Sequence, residues 1–269
     1  MAAVAGDGLE TGAAGSELLV EARGAVRILT LNRPESFNAA NPALHGRLAR
    51  IWPELAADPS VAAIVITGAG KAFSGGGDLD LLHHMTSDAA LRADVMAEAG
   101  EIVRGMTSVR VPIIAAVNGP AVGLGCSLAS MCDIVVMEEH AYFADPHVAL
   151  GLVAADGGAL TWPLLTSLLR AKEFILLGDR LSAAEALRLG LANRVVPKGA
   201  ALATAIEIAE RLAALPPQSV RETKALLNRA LHRAVDTLLD DALGAETESF
   251  LEPAFQANLA RMRTKKASS

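Results

Sequence analysis

Aromatic side chains are scarce in this 269-residue chain, with one tyrosine and two tryptophans. A nucleic-acid reader that stacks bases on a row of aromatic rings is therefore excluded. Positive charge is short as well. The 24 Lys and Arg against 30 Asp and Glu leave a net charge of -6, which offers nothing to a phosphate backbone. Only two cysteines occur, Cys126 and Cys132, and their spacing fits no common metal pattern. A reduced, cytoplasmic compartment is expected. No apolar run is long enough to span a bilayer, so no membrane partner is expected. The opening "MAAVAGDGLETGAAG" lacks the basic start and apolar core of a signal peptide. Residues 1–15 read as a flexible tail. What the chain has in plenty is apolar residues, at 52%, enough for a substantial core.

The apolar pattern switches repeatedly between strand and helix periods. Leu18–Glu21 and Val26–Leu31 flank "ARG" and predict a hairpin. Leu44, Leu48, Ile51 and Leu55 recur at helical spacing and predict a helix over Pro42 to Ala57. "VAAIVITG" (61–68), "VPIIAAVNG" (111–119) and "DIVVM" (133–137) read as buried strands, with a helix over Asp88 to Ser108 and a short one near Gly125–Met131. "SAAE" (182–185) is a capping box that opens a further helix. After residue 200 the pattern is helical: Ala201 to Ala214, Val220 to His232 and Val235 to Leu251, broken at Pro216-Pro217. This predicts an α/β core over 16–200 and a helical region over 201–269.

Two glycine clusters follow buried strands, Gly75-Gly76-Gly77 before Asp78, and Gly123 and Gly125 around Leu124. Glycine permits tight turns and close approach of backbone to a ligand. "GAGKA" is not a phosphate loop, because Val65 and Ala72 occupy the positions that need Gly and Ser or Thr. The spacing of Gly119, Gly123 and Gly125 does not fit a dinucleotide fingerprint either.

The segments "LNRPESFNA", "GKAFSGGGDL", "IAAVNGPAVGLGCSLA", "CDIVV" and "LLGDRLSAAEALRLGLANRVV", taken in order, resemble the crotonase (enoyl-CoA hydratase/isomerase) superfamily. The likeness runs from Leu18 to the C-terminus. It implies a spiral of ββα units followed by a helical trimerisation region, and a homotrimer or a hexamer. It also implies an acyl-CoA substrate whose thioester oxygen is held by two backbone N–H groups, of Gly77 and Leu124. Such donors act where negative charge develops in the transition state. Substrate-binding positions carried over are Gly75, Gly76, Asp78, Gly123 and Gly125, with Arg33 and Lys71 for the phosphates of coenzyme A. No metal or redox cofactor is implied; coenzyme A comes as part of the substrate.

The chain departs from the hydratase pattern at both catalytic glutamates. One position is Ser127, in "GCSL", and the other is His147, in "DPHV". Histidine can serve as general acid or base near neutral pH. Asp156, nine residues on, either orients His147 or caps the helix opening at Gly157. "ADGGALTWPLL" resembles a branch that hydrolyses cyclic β-diketones, the 6-oxocamphor hydrolase type. That likeness carries over His45 and a late glutamate, Glu246 or Glu248. By helical spacing alone, His45 reads as a helix-flank residue, and His83 and His84 as pocket rim at best. Three readings stand open: an acyl-CoA hydratase or isomerase using His147 and Asp156, a C–C bond hydrolase of a 1,3-dicarbonyl, and a non-catalytic acyl-CoA-binding or assembly protein.

Overall fold

The structure, a computed structural model, describes residues 16–267, so the expected tail over 1–15 lies outside the described residues. The chain opens with β1 (Leu18–Arg23) and β2 (Val26–Leu31), an antiparallel hairpin. Helix α1 (Pro42–Ala57) and β3 (Ala63–Gly68) follow, then α2 (Leu79–Ser87), α3 (Ala89–Ser108) and β4 (Ile113–Val117). Next come β5 (Ala121–Val122), α4 (Leu124–Ser130), β6 (Ile134–Glu138) and β7 (Tyr142–Ala144). The middle of the chain holds α5 (His147–Leu150), α6 (Gly158–Leu165), α7 (Leu168–Leu177), β8 (Leu181–Ser182), α8 (Ala183–Leu189) and β9 (Arg194–Val196). Four helices end it: α9 (Ala201–Ala213), α10 (Pro217–Leu227), α11 (Arg229–Ser249) and α12 (Pro253–Ala267).

Six strands form one sheet in the order β1-β2-β3-β4-β6-β9, parallel from β2 onward. Strands buried on both faces are apolar throughout, and β3 and β4 are fully buried for that reason. The period of two sorts their side chains. Leu29, Leu31, Ile64, Ile66, Ile113, Ala115 and Val117 face the larger core under α1 and α3. Val26, Ile28, Ala63, Val65, Ile114 and Ala116 face the other way, onto Ala201, Ala205, Ile208 and Ala209 of α9. The first helix after residue 200 therefore covers the sheet as part of the α/β body. A small second sheet, β5-β7-β8, lies beside the first.

The helix starts follow their capping residues. Asn41 accepts a hydrogen bond from the Leu44 N–H at the head of α1, with Pro42 at the first helical position. Asp88 does the same for α3, and Ser182 and Glu185 form the expected capping box on α8. Helix α12 packs against α2 and α5 through Phe255 and Leu259, both buried. α11 lies against α3 and α6. The C-terminal helices thus close over the region between α2, α3 and α5, where the candidate site lies.

Candidate active site

Two glycine loops make one wall of the site. Ser74 bridges to Ala121 and Ala40 to Gly77, so the loop after β3 is held beside the start of β5. Gly76 has φ +89, and a Cβ there would stand 2.8 Å from the Val122 carbonyl oxygen. Gly123 has φ +51, a backbone conformation that glycine adopts freely, and the His147 ring lies beside it. Glycine at position 76 lets the two loops meet. Among the described residues, neither the Gly77 N–H nor the Leu124 N–H has a hydrogen-bond acceptor. Leu124 is the first residue of α4, where an N–H has no partner within its own helix. Both N–H groups are therefore unused.

A cavity of about 150 Å³ lies under these loops. Gly75, Gly76, Gly77, Gly123 and Leu124 line it, with His45, His147, Asp156 and Glu246. Its other walls are apolar, including Leu81, Met85, Val95, Leu152 and Phe250. A larger groove, about 780 Å³, lies elsewhere between α6 and α10. Its only charged lining groups, Lys224 and Asp133, neutralise each other at 2.7 Å, and burial pushes the Cys132 thiol far up. The smaller cavity carries the chemistry.

His147 opens the short helix α5 and is gripped by Asp145, a residue not singled out in the sequence. Nδ1 of His147 meets Asp145 Oδ1 at 2.5 Å, and the backbone N–H of His147 donates to the same oxygen at 3.3 Å. Nε2 lies 3.8 Å from Asp156 Oδ2. That is longer than a hydrogen bond, yet one oxygen atom can touch both at a distance of about 2.8 Å. Burial alone would lower the pKa of His147, but the Asp156 and Asp145 carboxylates outweigh it and raise it to about 10. Burial opposes ionisation of Asp145 as well, yet the His147 charge and hydrogen bonds hold its carboxyl below the usual range. Asp156 moves the other way: burial raises its pKa against the attraction of His147. At neutral pH the pair is Asp145 carboxylate and His147 imidazolium.

Several expectations change at this site. Ser127 is wholly buried behind Asp156 and donates to Asp156 Oδ1 at 2.8 Å, so it orients the carboxylate and does not reach the cavity. Asp156 does not cap α6; the N-cap of that helix is Gly157, and no side chain caps it. His45 is buried, lines the cavity and pairs through Nδ1 with Glu98 Oε2 at 2.8 Å, so it is no flank residue. Of the two late glutamates, Glu246 is buried in the cavity wall and Glu248 is exposed. Gly125 packs against Ser74, where a Cβ would meet it at 2.7 Å, and does not line the cavity. Arg33 holds Asp78 Oδ2 at 3.0 Å and the Ala39 carbonyl, bracing the first loop rather than facing out to phosphates. Asp78 caps α2 through the Asp80 N–H. Lys71, His83 and His84 are exposed outside the cavity. The missed residues had signals: Asp145 stands two before His147, and Glu98 interrupts the apolar stripe of α3 between Val95 and Ile102.

The comparisons with known proteins agree with this architecture. The enoyl-CoA hydratase/isomerase family profile matches residues 21–261. A crystal structure of an enoyl-CoA hydratase/isomerase from Mycobacterium paratuberculosis superposes with a TM-score of 0.90 at 53% identity, covering 91% of this chain and 98% of that one. The chain belongs to the enoyl-CoA hydratase/isomerase family. Its curated relatives include the short-chain-enoyl-CoA hydratase of Clostridium acetobutylicum, 33% identical over 88% of this chain and 89% of that protein. The 2,3-dehydroadipyl-CoA hydratase of Escherichia coli K12 is 33% identical over 87% of this chain and 89% of that protein. Within this family the chain is an α/β protein of the crotonase type.

Proposed function

We propose that this enzyme acts on an acyl-CoA thioester, with His147 and its two aspartates in place of the glutamate pair. The observation that carries the reading is His147, pinned by Asp145 and facing Asp156, beside two unused N–H donors in one cavity. In the hydration direction, Asp156 takes a proton from water as its oxygen joins the β-carbon. Negative charge moves onto the thioester oxygen, where the Gly77 and Leu124 N–H groups receive it. His147 then gives the Nε2 proton to the α-carbon and recovers it from Asp156. Asp145 keeps the ring oriented throughout, and Ser127 holds Asp156. The same groups support double-bond migration, in which a proton leaves one carbon and returns at another. No step calls on a metal or redox cofactor, and coenzyme A comes with the substrate.

The reading is tested by following enoyl-thioester absorbance with crotonyl-CoA. Wild type turns over, and His147→Ala loses about 10²–10⁴-fold while still binding the thioester. Turnover unchanged in His147→Ala sinks the assignment. A second reading, hydrolysis of a C–C bond in a 1,3-dicarbonyl, is favoured by one observation: His45, His147, Asp156 and Glu246 share the cavity. Turnover of a free diketone without coenzyme A would select it. The surface supports a homotrimer. Leu168, Leu169, Leu176 and Leu177 on α7 and Leu226 and Leu227 on α10 are exposed apolar side chains, and a homotrimer buries such faces.

A further inference from the structure

We propose that the acyl group of the substrate carries a second oxygen, remote from the thioester, and that Glu246 binds it. The inference rests on the acyl-CoA reading and narrows it to one substrate class, short acyl groups bearing a keto or hydroxyl oxygen. Glu246 lies on α11, is 6% exposed and lines the cavity. Its Oε2 has no hydrogen-bond partner among the described residues. A buried polar atom without a partner is costly, and a ligand atom that completes it removes the cost. Burial raises the Glu246 pKa to about 8, against the attraction of His147 and with the repulsion of Asp156 and Asp145. At neutral pH the group is a carboxylic acid with a proton to donate, so its partner is an acceptor oxygen.

The rest of the cavity points the same way. His45 adds a second polar group to the wall, with its Nδ1 already engaged by Glu98. A plain alkyl chain would be served by Leu81, Met85 and Val95 alone, and would leave Oε2 of Glu246 unpartnered, the carboxyl keeping only its hydrogen bond from the Ala155 backbone.

The test is calorimetric binding to the full-length protein of two matched pairs, 4-oxopentanoyl-CoA with pentanoyl-CoA and 5-oxohexanoyl-CoA with hexanoyl-CoA. At least one oxo compound is expected to bind wild type about tenfold more tightly than its plain partner. Glu246→Leu should erase that preference while keeping affinity for the plain chain, and Glu246→Gln, which still donates, should keep most of it. Glu246→Met repeats the truncation should the leucine variant not fold. Equal affinities within both pairs for wild type, or a preference surviving truncation, overturns the inference and leaves the acyl-CoA reading standing. If no CoA thioester binds wild type, the acyl-CoA reading fails instead. The oxygen site is then read with free cyclohexane-1,3-dione against cyclohexanone: a preference lost in Glu246→Leu upholds it, and no preference overturns it.

Discussion

The chemistry at the residue scale is set by who shares a dry cavity with whom. His147 is cationic because two carboxylates face it, and Glu246 is neutral because burial outweighs that cation. Both pKa values are raised on folding, so both contributions to stability have the same sign. That of His147 is fully present below its ordinary 6.5 and is lost as pH rises through about 10. That of Glu246 is fully present below 4.5 and is lost as pH rises through about 8. Glu246→Gln, which cannot ionise, should therefore lose less stability than wild type between pH 5 and 8, read from urea midpoints at each pH. Asp145→Asn should move the His147 titration down toward neutrality, a shift visible in its imidazole NMR resonances, and should lower kcat more than it raises KM. An unchanged His147 titration in that variant would show that Asp145 is not its principal partner. Asp145 and Glu246 also mark the limit of sequence reading. The position of His147 was legible from its motif, but which carboxylate grips it depends on a bond across two residues and a helix from the far end of the chain.

Elements carry the donors, and they allow a clean removal. Leu124 is at the first position of α4, where a missing N–H costs the helix nothing, so Leu124→Pro removes one donor without breaking a helix hydrogen bond, at the cost of a buried leucine side chain. We expect kcat to fall by about 10²–10³-fold with circular dichroism unchanged. Gly76→Ala forces an L-residue to φ +89 with its Cβ 2.8 Å from the Val122 oxygen. It should cost about 1–3 kcal/mol in denaturant unfolding, because the second loop must shift. The bounds of β2 and α1 follow directly from their apolar periods and agree with the structure residue for residue. Helix α12 could not be read in that way. Its "PAFQANLARMRTKKA" shows no apolar stripe, and it is held by two anchors, Phe255 and Leu259, that only tertiary packing supplies. The two-residue strands β5 and β8 are likewise set by partners distant in sequence.

At the scale of the whole molecule, the cavity and the exposed leucine faces answer to different demands. Residues of α11 and α12, Glu246 and Met262 among them, join the cavity lining. The leucines of α7 and α10 remain outside, with Leu169 81% exposed and Leu227 76% exposed, which makes these two the first to replace. In the homotrimer proposed above, changing both to glutamate should give monomers in light scattering, with the far-ultraviolet dichroism retained. The central claim, that His147 moves a proton at the carbon beside a thioester held by Gly77 and Leu124, is tested most directly by deuterium exchange. Butanoyl-CoA is incubated with the enzyme in D2O, where His147 first passes its Nε2 proton to Asp156 so that the neutral ring can take the α-proton, and mass is read at the α-carbon, independently of any later step. The account predicts exchange by wild type, its loss in His147→Ala and its strong reduction in Leu124→Pro. Exchange by His147→Ala at the wild-type rate would contradict it.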